Sequence, residues 1–255
     1  MPRHFAGLDG AATLATAQFQ LAGRIVADLV AHHATGVIHG AAGTGKTYAV
    51  EAALEGLPCG DGPATRVATC TLAFPARPTM RLVADELLRA LTGTAGPQHR
   101  NRFYLTAALT GLLSGQPRLV VIDEAQRLNG DCIELLRHLH DHPETRFALL
   151  YVGGDGCWEV LSREPMLRSR VFRRLPFQPL PRGQVPALIR GYHSIYEGVA
   201  DRLLLDIDDT YAHGTLRDWA VFTHTAATLC AEAGRQQVDE AVAANAYSLL
   251  GGGVS

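Results

Sequence analysis

The sequence predicts an α/β fold: a parallel five-stranded sheet flanked by helices, followed by a small C-terminal all-helical region. Three observations carry that prediction. Short apolar runs alternate with amphipathic helical stretches up to about residue 177, the pattern of a parallel sheet wound with helices. Gly40-Ala41-Ala42-Gly43-Thr44-Gly45-Lys46-Thr47 lies between a strand-like run and a helix-like run. From about residue 182 onward no strand pattern remains.

Each element follows from its own signal. Residues 1–10 read as a loose start, and residues 11–33 carry Leu14, Phe19, Leu21, Ile25, Val26 and Leu29 at helical spacing. Gly36–His39 is a short buried strand, and a helix opens at Tyr48 and runs to about Leu57. Residues 58–65 are rich in Gly and Pro and form a loop, and 66–72 is the second strand. Pro75 and Pro78 precede an amphipathic helix over 80–91, 93–98 is a turn, and 101–113 is another helix. Strands follow at 118–122, 147–152 and 175–177, with helices at 130–140 and 157–163. Helices are expected at 183–197, 199–212, 214–232 and 236–250, and 251–253 is a frayed end. The prolines at 179 and 181 divide the chain into an α/β domain over 1–180 and a helical lid over 181–255.

The stretch from Gly40 to Thr47 fits G-x-x-x-x-G-K-[ST], the phosphate-binding loop known as Walker A. Glycines let the backbone curl so that successive N–H groups point at phosphate oxygens. Lys46 can reach the β- and γ-phosphates, and the Thr47 hydroxyl can ligate Mg²⁺. The following helix presents its positive dipole end to the same phosphates. Gly40, Ala41, Ala42, Gly43, Thr44, Gly45, Lys46, Thr47 and Tyr48 are therefore the expected ATP-binding residues. Lys46 is the chain's only lysine; every other residue among the 23 Lys and Arg is arginine. A sequence that otherwise uses Arg keeps Lys where a compact ammonium is needed.

Arg118-Leu119-Val120-Val121-Ile122-Asp123-Glu124 is the second diagnostic stretch. Four apolar residues followed by two acids describe a central parallel strand that ends at the ligand edge of its sheet, a Walker B pattern. Asp123 is expected to hold Mg²⁺ through water, and Glu124 to polarise the attacking water.

The bulk numbers set limits. A chain of 255 residues, 47% hydrophobic and 19% charged, is globular rather than disordered. A net charge of −2 argues against a globally basic nucleic-acid binder and leaves room for a local arginine surface. Cys59, Cys70, Cys132, Cys157 and Cys230 are odd in number and form no C-x-x-C, so they read as reduced cysteines of a cytoplasmic protein. Neither a signal pattern nor a membrane-spanning apolar run is found.

With these residues on the page, the sequence resembles the AAA+ ATPases. It is most similar to the branch that holds the transposition regulators MuB, TniB and TnsC, with ExeA-type and origin-recognition ATPases. The carrying residues are the Walker A stretch, VVIDEAQRL at 120–128, LLYVGG at 149–154, PMLRSRV at 165–171 and HGTLR at 213–217. They occur in the family's order across residues 36–220. The resemblance implies an ATPase that uses ATP and Mg²⁺, assembles with itself as a ring or filament on double-stranded DNA, and recruits or activates a transposase. It implies that Arg170, with Arg168 as runner-up, reaches a neighbouring subunit's γ-phosphate, and that Arg217 reports that phosphate to the lid. An ExeA-like or signalling ATPase acting on a protein client, or a weakly hydrolysing nucleotide-gated scaffold, is the alternative.

Further readings bear on function. The family places a polar residue just after the fourth strand, where this chain has Gly153 and Gly154 with Asp155 next. Hydrolysis is therefore expected to be slow or to use another group such as Gln126. DNA contacts are expected at Arg77 and Arg81 after the second strand and at Arg100 and Arg102 further on, through phosphates rather than bases. His138, His140 and His142 lack a further ligand and read as solvent-exposed helix-end histidines, not a metal site.

Overall fold

The computed structural model describes residues 8–57, 67–94 and 102–251, with the side chains of Arg102 and Phe103 excepted. The chain divides into two compact units. One comprises residues 20–40 and 46–177, the other residues 1–19, 41–45 and 178–255.

The first unit is built on a fully parallel sheet of β1 (Thr35–Gly40), β2 (Ala68–Ala73), β3 (Arg118–Asp123), β4 (Phe147–Gly153) and β5 (Val171–Phe177), ordered β2-β3-β4-β1-β5. Side-chain alternation sorts the strands. Val37, Cys70, Leu72, Val120, Ile122, Leu149 and Tyr151 join one core with α3 (Met80–Thr92), α4 (Arg102–Ser114) and α5 (Gly130–Asp141). The intervening Ile38, Leu119, Val121, Leu150 and Val152 are equally buried on the opposite face. There α1 (Ala17–His32) lays Leu29 across Gly36, where a Cβ would meet Leu29 Cδ1 at 2.6 Å. Covering both faces is why the central strands read as unbroken apolar runs. Each fully buried Leu or Ile contributes roughly 1.5–3 kcal/mol.

The elements start and stop for local reasons. The helix expected from residue 11 begins at Ala17, because Thr16 Oγ1 accepts the Phe19 N–H at 3.1 Å and caps it. Thr79 caps α3 and Asn129 caps α5 in the same way. The strand expected at 175–177 runs from Val171, since Val171, Arg173 and Arg174 pair in parallel with β1, with Phe172 at a register shift, although they are mostly exposed. Between β4 and β5 lie α6 (Cys157–Ser162) and α7 (Pro165–Arg168), and only α6 was expected.

The second unit holds α8 (Val185–Arg190), α9 (Asp201–Ile207), α10 (Leu216–Glu232) and α11 (Glu240–Leu249). Its core gathers Tyr196, Ile207, Trp219, Phe222, Val242 and Tyr247. The Trp219 ring meets Tyr196 and Phe222 edge-on at 5.8 and 6.2 Å. The helix expected over 183–197 is broken at Gly191, with a separate 3₁₀ turn at Ser194–Tyr196. The one expected over 199–212 widens into a π-turn at Asp208–Ala212. Buried Asp208 explains that widening. Its Oδ1 accepts from the Gly214 N–H at 2.7 Å and from Trp219 Nε1 at 2.9 Å, which fixes the turn into α10.

No helix among the described residues is long and apolar enough to cross a membrane. Cys70, Cys132, Cys157 and Cys230 are free and buried, and Cys59 lies outside the described residues.

Candidate functional site

The loop after β1 owes its shape to glycine. Gly40, Gly43 and Gly45 have φ of 136°, 79° and 91°, values that side chains rarely adopt. A Cβ on Gly40 would overlap the Phe177 carbonyl oxygen across the β1–β5 pair. A Cβ on Gly43 would lie 3.0 Å from Thr215 Cγ2 and 3.2 Å from Arg217 Cβ. Within the loop, Thr44 Oγ1 donates to Ala41 O at 2.8 Å. The loop enters α2 (Lys46–Glu55), and Lys46 Nζ donates to Gly40 O at 2.8 Å. Lys46 is 8% exposed, so its ammonium is held near the end of β1 rather than swinging in solvent. Thr47 and Tyr48, next on α2, are exposed, and the Thr47 hydroxyl makes no hydrogen bond among the described residues.

Two strands away in the same sheet, β3 ends in Asp123. Its Oδ1 accepts the Glu124 N–H at 2.8 Å. Burial holds the Asp123 carboxyl above the usual carboxylate range and the Glu124 charge adds to this, while the backbone hydrogen bond and the charges of Lys46 and Arg127 oppose it. Glu124 sits in the left-handed region at φ 55°, a strained backbone for a non-glycine. Its Oε2 accepts from Gln126 Nε2 at 2.6 Å and lies 3.5 Å from Arg127 Nη2. Sequence reasoning named Gln126 only in passing and missed Arg127. The signal was available in Gly153-Gly154, which leave room for a larger neighbour.

The donor set suits a nucleotide triphosphate with Mg²⁺. The positive φ of Gly43 and Gly45 gives the backbone the curl by which successive N–H groups can face phosphate oxygens, and the Lys46 ammonium is nearby in sequence. Thr47 and Asp123 carry the oxygens that would hold Mg²⁺, which keeps several waters and relies on one or two protein oxygens plus phosphates. No group of three or more His, Cys, Asp or Glu among the described residues could hold a metal by itself.

The remaining expected residues are dispersed. In the second unit, Arg217 lies beside the loop: its N–H donates to Gly43 O at 3.0 Å and its side chain is exposed. Arg170 is engaged. It donates from Nε to both oxygens of Asp141, at 2.8 and 2.7 Å, and from Nη1 to Met166 O at 2.9 Å. Asp141 also binds Arg137. Arg168 is exposed with no side-chain partner among the described residues. The neighbouring arginines are likewise occupied, Arg173 by Asp28 at 3.0 Å and Arg174 over the Trp158 ring at 4.6 Å.

Arg77 is exposed at φ 54°, and its N–H donates to Arg127 O at 3.1 Å. Arg81 is exposed and faces Asp85 at 3.4 Å. Arg100 lies outside the described residues, and Arg102 begins α4. Among the three histidines, His138 is exposed, but His140 is not. Its Nε2 lies 3.0 Å from His33 O and its ring meets Phe147 edge-on at 5.2 Å, so the helix end packs inward there.

A parallel sheet in this strand order, a glycine-shaped loop after β1 and paired acids after β3 define a P-loop AAA+ fold with C-terminal helices. Residues 30–161, more than half of the chain, match the family model described as AAA domain, and the chain belongs to that family. Solved structures agree at the level of fold. CDC6P from Pyrobaculum aerophilum is 18% identical with a TM-score of 0.73, covering 96% of this chain and 70% of that one. The ORC2 protein of Aeropyrum pernix, solved as ADPNP-ADP complexes, is 17% identical at 0.66, covering 97% and 71%. The ORC1 protein of Aeropyrum pernix, solved in complex with DNA, is 17% identical at 0.64, covering 93% and 66%. No curated protein sequence matches the chain.

Proposed function

We propose that this chain hydrolyses ATP and uses the bound nucleotide to control its own assembly on duplex DNA. One observation carries the reading: Lys46 with Thr47 after β1, and Asp123 with Glu124 after β3, stand at the carboxyl ends of two strands that flank β4. Ligands of open parallel sheets bind at that edge. The loop N–H groups and Lys46 hold phosphate oxygens, and Thr47 and Asp123 hold Mg²⁺, which when bound neutralises charge on the β- and γ-phosphates. Glu124 accepts a proton from the water that attacks phosphorus. Arg217, whose own N–H grips Gly43 O, senses from the lid what the loop holds.

Arg170 is the residue assigned to a neighbouring subunit's phosphate, and to act there it must exchange Asp141 for that phosphate. Arg168 has no such partner to leave among the described residues. Comparing Arg168→Ala with Arg170→Ala separates them, because the acting residue loses turnover in the oligomer while ATP affinity holds. In its finer form the reading is a regulator of DNA transposition that recruits or activates a transposase, with hydrolysis driving disassembly. Its support is the order of the short motifs from residue 36 to 220. The likeness in fold to an origin-recognition protein solved with DNA supports the DNA-associated part alone.

The test is binding to labelled random-sequence duplex DNA, with and without ATP and Mg²⁺, across a salt series. ATP-dependent binding that weakens steeply with salt and disappears in Lys46→Ala supports the reading. Absence of binding at low salt with ATP present overturns the DNA part and turns attention to a protein client.

A further inference from the structure

The turn after β3 carries a side chain whose bonding the phosphate chemistry leaves unassigned. Gln126 donates from Nε2 to Glu124 Oε2 at 2.6 Å, and its Oε1 accepts the Gly154 N–H at 2.9 Å. One amide thus ties the carboxylate after β3 to the backbone after β4. The two glycines make this possible. A Cβ on Gly153 would overlap Cys157 Sγ and lie 2.6 Å from Gln126 Oε1. A Cβ on Gly154 would lie 3.4 Å from Gln126 Nε2. A polar side chain on Gly153 and the amide of Gln126 would compete for the same space.

Glu124 needs such a restraint. Its backbone is strained at φ 55°, and its Oε1 makes no hydrogen bond among the described residues. The other contact to Oε2, from Arg127, is longer at 3.5 Å, and that side chain is 46% exposed and also donates to Phe74 O. Exposed pairs of that kind hold a carboxylate weakly.

We propose that Gln126 is the positioning residue for Glu124: it occupies Oε2, reserves Oε1 for the attacking water, and takes over the place of the polar side chain expected after β4. The proposal rests on the reading of the chain as an ATPase. The Gly153-Gly154 pair is then the complement of Gln126 rather than a gap in the machinery, and slow hydrolysis does not follow from it.

The primary variant is Gln126→Met, which keeps the volume and removes both hydrogen bonds. Turnover should fall about tenfold to a hundredfold while ATP affinity stays within about twofold. In the nucleotide-free chain, the Gly154 amide should exchange with solvent about tenfold faster, measured on the assigned ¹⁵N-labelled protein. The double variant Gln126→Ala with Gly154→Asn offers a replacement amide in the vacated room and should recover part of the turnover lost in Gln126→Ala. Unchanged turnover in Gln126→Met, an unchanged Gly154 amide, or a fall in ATP affinity as large as the fall in turnover overturns the positioning role alone. A wild-type chain that binds ATP without any turnover overturns the ATPase reading and this role with it.

Discussion

In the proposed reading the ends of β1 and β3 meet the same demand, a chain that must turn sharply beside a polyanion, and they meet it in opposite ways. After β1 the turn is made of glycines at φ 136°, 79° and 91°, and the groups proposed to work there are backbone N–H donors. After β3 the turn is made at φ 55° by Glu124, a residue that resists that conformation at a cost of about 1–2 kcal/mol. Glycine would remove the strain and with it the carboxylate. At these two strand ends, strain is kept where a side chain is proposed to do the chemistry, and side chains are absent where the backbone is proposed to do it.

Gly40→Ala tests the contrast most severely. Its Cβ would overlap the Phe177 carbonyl oxygen and part β1 from β5, so stability should drop by about 3 kcal/mol or more in urea unfolding. Gly43→Ala should fold and instead lose about tenfold in ATP affinity, because the loop at φ 79° must be re-formed around Thr215 and Arg217. A fluorescent-nucleotide titration reads this. Glu124→Gly inverts the experiment at the other strand. Strain relief offsets the lost hydrogen bond from Gln126, so stability should stay within about 1 kcal/mol of wild type although turnover is abolished. A large loss of stability there would contradict the contrast.

The smallest effect concerns pH. Burial and the Glu124 charge raise the Asp123 carboxyl, so as pH falls it takes up its proton before an ordinary aspartate of pKa about 4 would. Mg²⁺-dependent ATP affinity should therefore begin to weaken at a higher pH in wild type than an ordinary carboxylate predicts. That component should be missing from Asp123→Asn, and the loop's N–H groups contribute no titration of their own.

What the sequence made legible follows the same division. The loop after β1 and the acids after β3 were readable because their chemistry fixes residue types at short spacing. The central strands were readable because burial on both faces removes every charged residue from 119 to 122 and from 147 to 152. The edge strand β5 was half hidden, because Phe172, Arg173 and Arg174 are exposed and only the partner β1 makes them a strand. Arg170 looked free in sequence because its partner Asp141 lies 29 residues away. Gln126 was named as an alternative group, but its contacts were hidden likewise, since its second partner, Gly154, lies 28 residues on and enters as a missing side chain rather than a present one.

Lys46 is the only lysine in the chain. Apart from any free α-amino terminus, every primary amine available to an acylating reagent is therefore this one. An amine-directed label that reaches it reports on the loop after β1 without any mutation of background residues. Because the ammonium is 8% exposed and bonded to Gly40 O, free reagent should mark it slowly, and a reagent delivered on a nucleotide phosphate should mark it fast. One modified peptide in a digest then counts occupied loops directly, in a mixture or on a DNA template, with a stoichiometry that no other lysine can blur.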